Sequence, residues 1–276
     1  MIEIPEAQTL AQQLDKEIKG KTIAKVVAGK SPHGFAFYNG DPKRYPKLLE
    51  GKKISEVTAT AGYVEIFAQD VTLLFHDGTN IRYLLPEAKR PEKHQLLIEF
   101  EDKSAIVVTI QMYGGMMAFV DGAFENKYYQ GAKSKPSPLS EKFTQEYFEK
   151  IVDATPDKLS IKALLATEQR IPGLGNGVLQ DILFKARLHP QTKVKNLTAK
   201  DFARLYKSIK TTIKEMTERG GRDTEKNLYG EPGGYQTILS SKTWNQPCPQ
   251  CGGVIKRKAF LGGNVYFCER CQPLAN

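Results

Sequence analysis

The spacing of hydrophobic residues changes along the chain and predicts different secondary structure in its two halves. From Ala7 to Ile18 apolar residues recur every three to four positions, and Gly20 interrupts the pattern, which predicts one N-terminal helix. Short β-rich runs separated by turn residues follow, and their spacing is typical of an antiparallel sandwich or barrel. The predicted strands are Thr22–Ala28, Ile54–Thr60, Tyr63–Ala68, Val71–His76, Ile81–Leu85, Gln95–Glu101 and Ala105–Ile110.

In the second half the hydrophobic period becomes helical. The predicted helices are Ser140–Val152, Ser160–Ala166, Gly177–Leu188 and Thr198–Arg219, and Gly220–Tyr235 is a glycine-rich loop. We therefore expect an α+β protein of several domains. Residues 1–125 would form an antiparallel β-sandwich with a leading helix, 126–139 a linker, 140–235 a helical domain and 240–276 a small terminal domain.

All four cysteines lie near the C-terminus, as two CxxC pairs separated by sixteen residues: Cys248, Cys251, Cys268 and Cys271. This spacing fits one structural zinc ion held by four thiolates in a β-hairpin finger. Two disulfides are the alternative. The first residues are acidic where a signal peptide would be basic and then apolar, and no apolar run approaches the roughly 20 residues of a membrane span. We expect a soluble cytoplasmic protein.

The formal charge is +9, from 40 basic and 31 acidic side chains, and it is unevenly distributed. Residues 1–120 carry equal numbers of basic and acidic side chains, so the entire surplus lies in residues 121–276. A basic half joined to a neutral half favours a polyanionic partner bound mainly through one side of the molecule. Simple solubility remains the alternative interpretation of the charge.

The turn Ile171–Gly177 (IPGLGNG) lies between two predicted helices. Backbone N–H groups of a glycine-rich turn that opens a helix can bind an anion, and Gly175 and Asn176 would then contact a phosphate. A plain turn in which Asn176 caps the helix is the alternative.

Several segments together resemble the formamidopyrimidine-DNA glycosylase and endonuclease VIII family. They are Glu3–Glu6, Pro91–His94, Ile171–Asn176, Asp181–Phe184, Leu188–Pro190 and the cysteine hairpin with the following Gln272. The resemblance covers the whole chain and implies a β-sandwich domain, a helix–two-turns–helix domain and a zinc finger. It also implies a monomer that binds double-stranded DNA containing a damaged base or an abasic site, associates with the nucleoid when bound, and flips the nucleotide out of the stack.

The residues implied to act on the flipped nucleotide depart from the family pattern. Family enzymes attack the sugar with the amine of an N-terminal proline, whereas this chain has Ile2, whose amine is free only if Met1 is removed. A family lysine is replaced by Tyr63, and the phosphate-binding arginine of the finger is replaced by Gly263. The two residues that fill the gap left by the flipped base align with Met112 and Tyr113, which can still wedge or stack.

Two acidic residues of the family pattern remain. The resemblance makes Glu3 the acid that protonates the sugar ring oxygen and Glu6 a supporting group, but both would also be stabilised at a helix N-terminus. The basic run Lys256, Arg257 and Lys258 is a candidate phosphate contact in the finger. The loop 220–235 would cover the everted base or act as a mobile linker, and the four histidines show no metal-ligand spacing.

The sequence thus predicts a DNA repair protein of this family. We expect a DNA glycosylase with altered catalysis, in which Glu3 can activate water and the strand-cleaving lyase step is weakened. One alternative is a catalytically silent protein that recognises lesions or abasic sites. Another is a zinc-ribbon module that binds nucleic acid regardless of damage.

Overall fold

The computed structural model describes residues 1–275, in which seven α-helices and nine β-strands form two large hydrophobic cores and three small ones. The helices are α1 (Ile4–Ile18), α2 (Tyr45–Leu49), α3 (Lys127–Ser134), α4 (Gln145–Asp153), α5 (Ile161–Ala166), α6 (Val178–Lys185) and α7 (Ala199–Glu218). The strands are β1 (Ile23–Ala28), β2 (Ala36–Tyr38), β3 (Ile54–Thr60), β4 (Tyr63–Ala68), β5 (Val71–Leu84), β6 (Leu96–Phe100), β7 (Ala105–Val120), β8 (Lys256–Phe260) and β9 (Gly263–Phe267). Within residues 1–275 no helix combines the length and the apolar character needed to cross a bilayer.

Strands β1 to β7 form one sheet in the order β1-β6-β7-β5-β4-β3, with β2 added in parallel to β7. The 14-residue β5 and the 16-residue β7 pair along most of their length and are interrupted by a register shift at Asp77–Thr79. The N-terminal half of β5 also pairs with β4. In β7, the N-terminal half pairs with β6 and the C-terminal half pairs with β2. Apolar side chains of both halves and of α1 share the first core, which makes the expected β-sandwich.

The structure corrects the strand pattern around Asp77. Val71–His76 and Ile81–Leu85 were expected as separate strands, because Asp77, Gly78 and Asn80 are typical turn residues. They instead belong to the single strand β5, and the turn-forming residues accommodate the bulge. The predicted strand Ala105–Ile110 likewise continues to Val120.

Residues 126–139, which the sequence predicts to be a linker, contain helix α3. The Asn126 side chain accepts the N–H groups of Tyr128 and Tyr129 and so begins α3. Tyr129 packs against Phe119 and donates its hydroxyl to the buried carboxylate of Glu65 on β4. This helix therefore belongs to the β-sandwich, to which the aromatic cluster attaches it.

The second core lies between α4, α5, α6 and α7, as the helical pattern predicts. It also receives Ile4, the first residue of α1, so the N-terminal helix contributes to both cores. Strands β8 and β9 form a hairpin beyond α7 with its own small core, in which Phe184 of α6 contacts the finger residues Leu239 and Ile255. The first residues of the chain are thereby fixed between the two domains.

Candidate functional site

Glu3 occupies the anion-binding end of α6. Its carboxylate accepts the backbone N–H groups of Gly175, Gly177 and Val178 at 2.8–2.9 Å, and its side chain is almost completely buried. The glycine turn therefore does bind an anion, but the anion is a carboxylate of the same chain. The Gly175 amide expected to contact phosphate is already used, although Gly175 still lines the groove described below.

Arg222 links Glu3 to Glu6 in a buried ion network. Its Nε and Nη2 atoms donate to the two carboxylate oxygens of Glu6 at 2.9 and 2.8 Å, and Nη1 lies 3.4 Å from Glu3 Oε1. All three side chains are at least nine-tenths buried. A Cβ atom at Gly177 would lie 1.5 Å from Arg222 Nη1, so the guanidinium requires a glycine at that position. Sequence reasoning missed Arg222, whose only signal was its place in a glycine-rich loop.

Burial and charge shift these groups in different directions. Burial raises the pKa of Glu3 above its ordinary value, against the opposing charge of Arg222. Burial also acts to raise the pKa of Glu6, but the charge and hydrogen bonds of Arg222 hold it below its ordinary value. Arg222 and Glu6 form one bidentate pair of two hydrogen bonds, which explains why Glu6 remains ionised. Glu3 is the more readily protonated of the two acids.

Asn176 does not cap α6, which begins without a side-chain cap, so the plain-turn interpretation is wrong. Its Nδ2 atom donates at 3.0 Å to the carbonyl of Asn264, on strand β9 of the zinc hairpin. Its Oδ1 atom is buried and has no hydrogen-bond partner among residues 1–275. The site predicted to hold phosphate therefore adjoins the finger, and a Cβ at Gly263 would lie 3.3 Å from the Asn176 amide.

The finger is held on the helical domain by side chains that bind its backbone. Lys162 on α5 donates its Nζ to the carbonyls of Phe260 and Leu261 in the hairpin turn, and its burial lowers the pKa of its amine. Gln180 on α6 donates to the Asn264 carbonyl and accepts the Tyr266 N–H. These contacts fix the turn next to Asn176.

The four cysteines fit one structural zinc ion. Their sulfur atoms all lie within 4.8 Å of one another, with Sγ–Sγ distances of 3.8 Å for Cys248–Cys271 and 3.4 Å for Cys251–Cys268. These separations suit a tetrahedron with Zn–S bonds of about 2.3 Å and exclude disulfide bonds in this structure. The fully buried Gln272 accepts the Cys268 N–H and donates to the Leu188 carbonyl, so it attaches the metal site to the helical domain.

The basic run of β8 is exposed but already has partners. Lys256 pairs with Glu269, the Arg257 guanidinium lies 4.2 Å from the centre of the Trp244 ring, and Lys258 donates to Gln191. Whether these side chains also contact phosphate stays a prediction, because exposed pairs of this kind are weak and can be exchanged.

A groove of about 260 Å³ connects the finger to the N-terminus. Asn176, the hairpin turn, Glu3, Tyr113 and Asp77 all line it. The groove predicted to join Asn176, the zinc hairpin and Glu3 is therefore present in this structure. Burial, and after it the charges of Asp77 and Glu3, raise the pKa of Tyr113.

A second cleft, of about 240 Å³, is also lined by Ile2. Tyr63, which the family resemblance aligns with a lysine, lines it together with His76, and burial raises the pKa of this tyrosine to about 12. Its hydroxyl therefore stays protonated at neutral pH and offers a hydrogen bond without a charge. Met112, on the neighbouring stretch of β7, has a side chain that is 70% exposed and free to wedge into a base stack.

The N-terminus is held by both domains. Ile2 is a buried residue whose amide N–H donates to the Asp77 carbonyl at 2.8 Å. The Met1 amine forms an ion pair with Glu225 in the 220–235 loop. That loop also inserts the fully buried Leu228 into the sandwich core, so its interpretation as a mobile linker does not hold.

Models of three domains match the chain in the expected order. The formamidopyrimidine-DNA glycosylase N-terminal domain matches residues 1–111, the formamidopyrimidine-DNA glycosylase H2TH domain matches 135–227, and the zinc finger found in FPG and IleRS matches 245–274. The chain is 30% identical to the formamidopyrimidine-DNA glycosylase of Shouchella clausii and 31% identical to that of Brevibacillus brevis, each over 99% of both chains. The chain belongs to the formamidopyrimidine-DNA glycosylase family.

Solved structures of this family have the same fold. The Thermus thermophilus MutM (Fpg) protein is 25% identical and matches with a TM-score of 0.81 over 99% of this chain and 100% of its own. The Lactococcus lactis Fpg in complex with DNA containing an abasic site is 23% identical and matches with a TM-score of 0.83 over 98% and 99% of the two chains. The glycosylase family thus accounts for the sandwich, the helical domain and the zinc finger of this chain, as the sequence predicted.

Proposed function

We propose that this chain is a DNA glycosylase that releases a damaged base by hydrolysis, without the covalent lyase step that the family resemblance implies. The observation that carries the proposal is the groove that joins Asn176 and the finger turn to Glu3, Tyr113 and Ile2. A groove lined in this way offers a phosphate contact close to protonatable groups. One chain supplies all of these residues, which supports action as a monomer on double-stranded DNA.

The groups beside Ile2 support hydrolysis over amine chemistry. The Ile2 nitrogen is a peptide amide bonded to Asp77, and the Met1 amine is paired with Glu225. Neither nitrogen is presented as a free nucleophile in the cleft. Tyr63 contributes no cation, and Gly263 has no side chain with which to bind a phosphate.

The raised pKa of Glu3 supports its proposed part in catalysis. A carboxyl group that protonates more readily than usual can donate a proton to the sugar ring oxygen as the base leaves. Glu6 is proposed as the supporting group, since it holds Arg222 against Glu3. Base flipping would bring the nucleotide to the part of the groove that Glu3 lines. Tyr113 and Met112 would fill the gap in the duplex.

The proposal is tested by incubating the protein with γ-irradiated duplex DNA and with a defined abasic duplex. Released bases are measured by mass spectrometry, and covalent adducts are sought after borohydride reduction, with the Brevibacillus brevis relative as the positive control for base release. We expect base release without a reduced adduct. An adduct would restore the amine mechanism, and binding to the abasic duplex without any base release would favour the silent protein. Intact-mass measurement establishes whether Met1 is present.

A further inference from the structure

Asp77 is the one acidic residue among the four described residues, Ile2, Asp77, Gln169 and Gly173, that line both clefts. It lines both the 240 Å³ cleft next to Tyr63 and the 260 Å³ groove that leads to Asn176. Its side chain is 46% exposed, in contrast to the carboxylates of Glu3 and Glu6, which are buried against Arg222. Among the described acidic residues, Asp77 and Glu3 are the ones that line the groove. Asp77 alone of these two presents an exposed carboxylate.

The backbone around Asp77 is arranged to direct this side chain into the clefts. Asp77 has a left-handed backbone with φ of +52°, at the register shift between β5 and β7. The next residue must be a glycine, because a Cβ at Gly78 would lie 2.2 Å from the Tyr113 carbonyl oxygen. Bulges of this kind often redirect a side chain beside an active site, and a left-handed non-glycine residue persists only when its surroundings impose it. Here the Ile2 N–H, bound to the Asp77 carbonyl, is part of those surroundings.

His76 fixes the direction of the Asp77 carboxylate. The His76 Nδ1 atom lies 2.9 Å from Asp77 Oδ2, and the imidazole packs 5.3 Å from the ring of Tyr63. A Cβ at Gly115 would lie 2.0 Å from His76 Nε2, so the ring occupies space that only a glycine leaves free. With Nδ1 protonated, His76 donates to the carboxylate and leaves Oδ1 of Asp77 to act on a ligand in the cleft.

We propose that Asp77, positioned by His76, is the base that activates water for release of the damaged base. This inference rests on the proposed hydrolytic function and names the group that would replace the amine. The bond between the sugar C1′ and the base nitrogen breaks, and its electron pair leaves with the base. Water adds its oxygen to C1′ and gives its proton to the Asp77 carboxylate, which then passes it to the departing base nitrogen. The proton that Glu3 supplies at the ring oxygen returns to Glu3 once the hydroxyl is bound at C1′. The products are the free base and an abasic sugar with a hydroxyl at C1′, so the step needs no further reactant.

The first test is Asp77→Asn, compared with the wild type and with Asp70→Asn. Asparagine keeps the size of the side chain and tolerates the left-handed backbone, so the bulge is retained. Asp70 lies on the same domain in an exposed turn, and its carboxylate pairs with Lys52. Base release from γ-irradiated duplex DNA should fall by roughly 10²-fold or more in Asp77→Asn and stay unchanged in Asp70→Asn. Binding to an abasic duplex should be equal or tighter, since one negative charge has been removed.

A second variant, Asp77→Gly, removes the carboxylate while keeping a residue that accepts the left-handed conformation. Added formate should restore part of its base release, which a purely structural loss would not permit. His76 is tested as a positioning residue with His76→Asn, which keeps a donor near the Nδ1 position, and His76→Leu, which does not. The asparagine variant should retain several-fold more kcat than the leucine variant at similar KM.

The outcomes separate this inference from the proposed function. Base release by Asp77→Asn at the wild-type rate, or an inactive Asp77→Gly that formate leaves inactive, would overturn the role of Asp77 and leave hydrolysis intact. Equal kcat in the two His76 variants would overturn the positioning role. Absence of base release by the wild type, together with binding of the abasic duplex, would overturn both the proposed function and this inference.

Discussion

The buried network of Arg222, Glu3 and Glu6 predicts a large and pH-dependent loss of stability in Arg222→Met. The substitution removes two hydrogen bonds of 2.8–2.9 Å to Glu6 and the 3.4 Å contact to Glu3. Methionine fills much of the space but leaves both carboxylates buried without a cation. Breaking a buried ion pair by removing one partner costs about 3–5 kcal/mol. Glu3 keeps three N–H donors at 2.8–2.9 Å, whereas Glu6 keeps two longer ones at 3.1 and 3.2 Å, so most of this cost falls on Glu6.

The matched control is Arg219→Met, three residues earlier in the chain. Arg219 is about half exposed and pairs with Glu215 at 3.0 Å on the surface of α7. An exposed pair of this kind contributes about 0.2–1 kcal/mol, so the two variants should differ by several kcal/mol. Urea unfolding followed by far-UV circular dichroism is the appropriate assay, because the single tryptophan, Trp244, lies beside the zinc finger and reports on a different part of the molecule.

The sign of the pH dependence gives a second measurement. In the wild type the lowered pKa of Glu6 adds stability above its ordinary value of about 4.3, and this stability is lost as the pH falls through the lowered pKa. In Arg222→Met burial acts without the opposing cation, so the pKa of Glu6 should rise and ionisation should destabilise the fold. The raised pKa of Glu3 means that its ionisation also destabilises the fold, and this holds in the wild type and in the variant.

The difference in unfolding free energy between wild type and Arg222→Met should therefore be smallest below the lowered pKa that Glu6 has in the wild type, and should grow as the pH rises toward neutrality. A loss below about 1 kcal/mol at neutral pH would refute the assignment of a desolvated network. A loss that stays constant across this pH range would show that packing, not charge, accounts for the effect.

Two further predictions concern the DNA-binding half. Asn176→Ala should weaken binding to damaged and undamaged duplexes alike by roughly tenfold, as expected for the loss of one hydrogen bond to a charged phosphate. Fluorescence-anisotropy titration measures the affinity, and equal affinity of the variant and the wild type would place Asn176 outside the interface. The finger itself should survive this change, because Gln180 still binds the Asn264 carbonyl. Removal of zinc with a chelator should unfold the finger and abolish tight DNA binding while the circular dichroism of the β-sandwich persists, since only a few apolar residues support the finger without metal. Retention of DNA affinity by metal-free protein would contradict the role of the hairpin turn.

Local patterns predicted those parts of the fold whose signals lie close together in sequence. Helix α1 follows from its apolar spacing, and the finger follows from two CxxC pairs. Helix α3 was missed because prolines follow it closely and its attachment depends on Glu65, more than sixty residues earlier. The sequence also did not predict that β5 continues through Asp77. Pairing with the distant strand β7 determines this continuity, whereas the local residues are typical of a turn.

The candidate site shows the same division between local and distant information. Asn176 could be selected from its glycine turn, yet its contact with the finger depends on Asn264, 88 residues away. Glu3 was expected to face the cleft, and it does line the groove, but its three backbone donors come from the start of α6. Arg222 and His76 had no distinguishing motif. Their importance comes from the buried charges and the bulge that tertiary contacts place beside them.

The charges around Ile2 also bear on which chemistry the cleft can support. Among the described residues that line the two clefts, Lys162 is the only lysine or arginine, and its amine is bound to the carbonyls of the finger turn. The carboxylates of Glu3 and Asp77 line the same groove, and that of Asp77 is exposed. A sugar that loses its base by hydrolysis gains positive charge at C1′ and the ring oxygen, which a nearby carboxylate such as that of Asp77 stabilises. Tyr63 and Gly263, which the family resemblance aligns with a lysine and an arginine, add no cation to the lining of either cleft. Positive charge for phosphate binding is then left to the basic C-terminal half, in keeping with the hydrolytic mechanism proposed above.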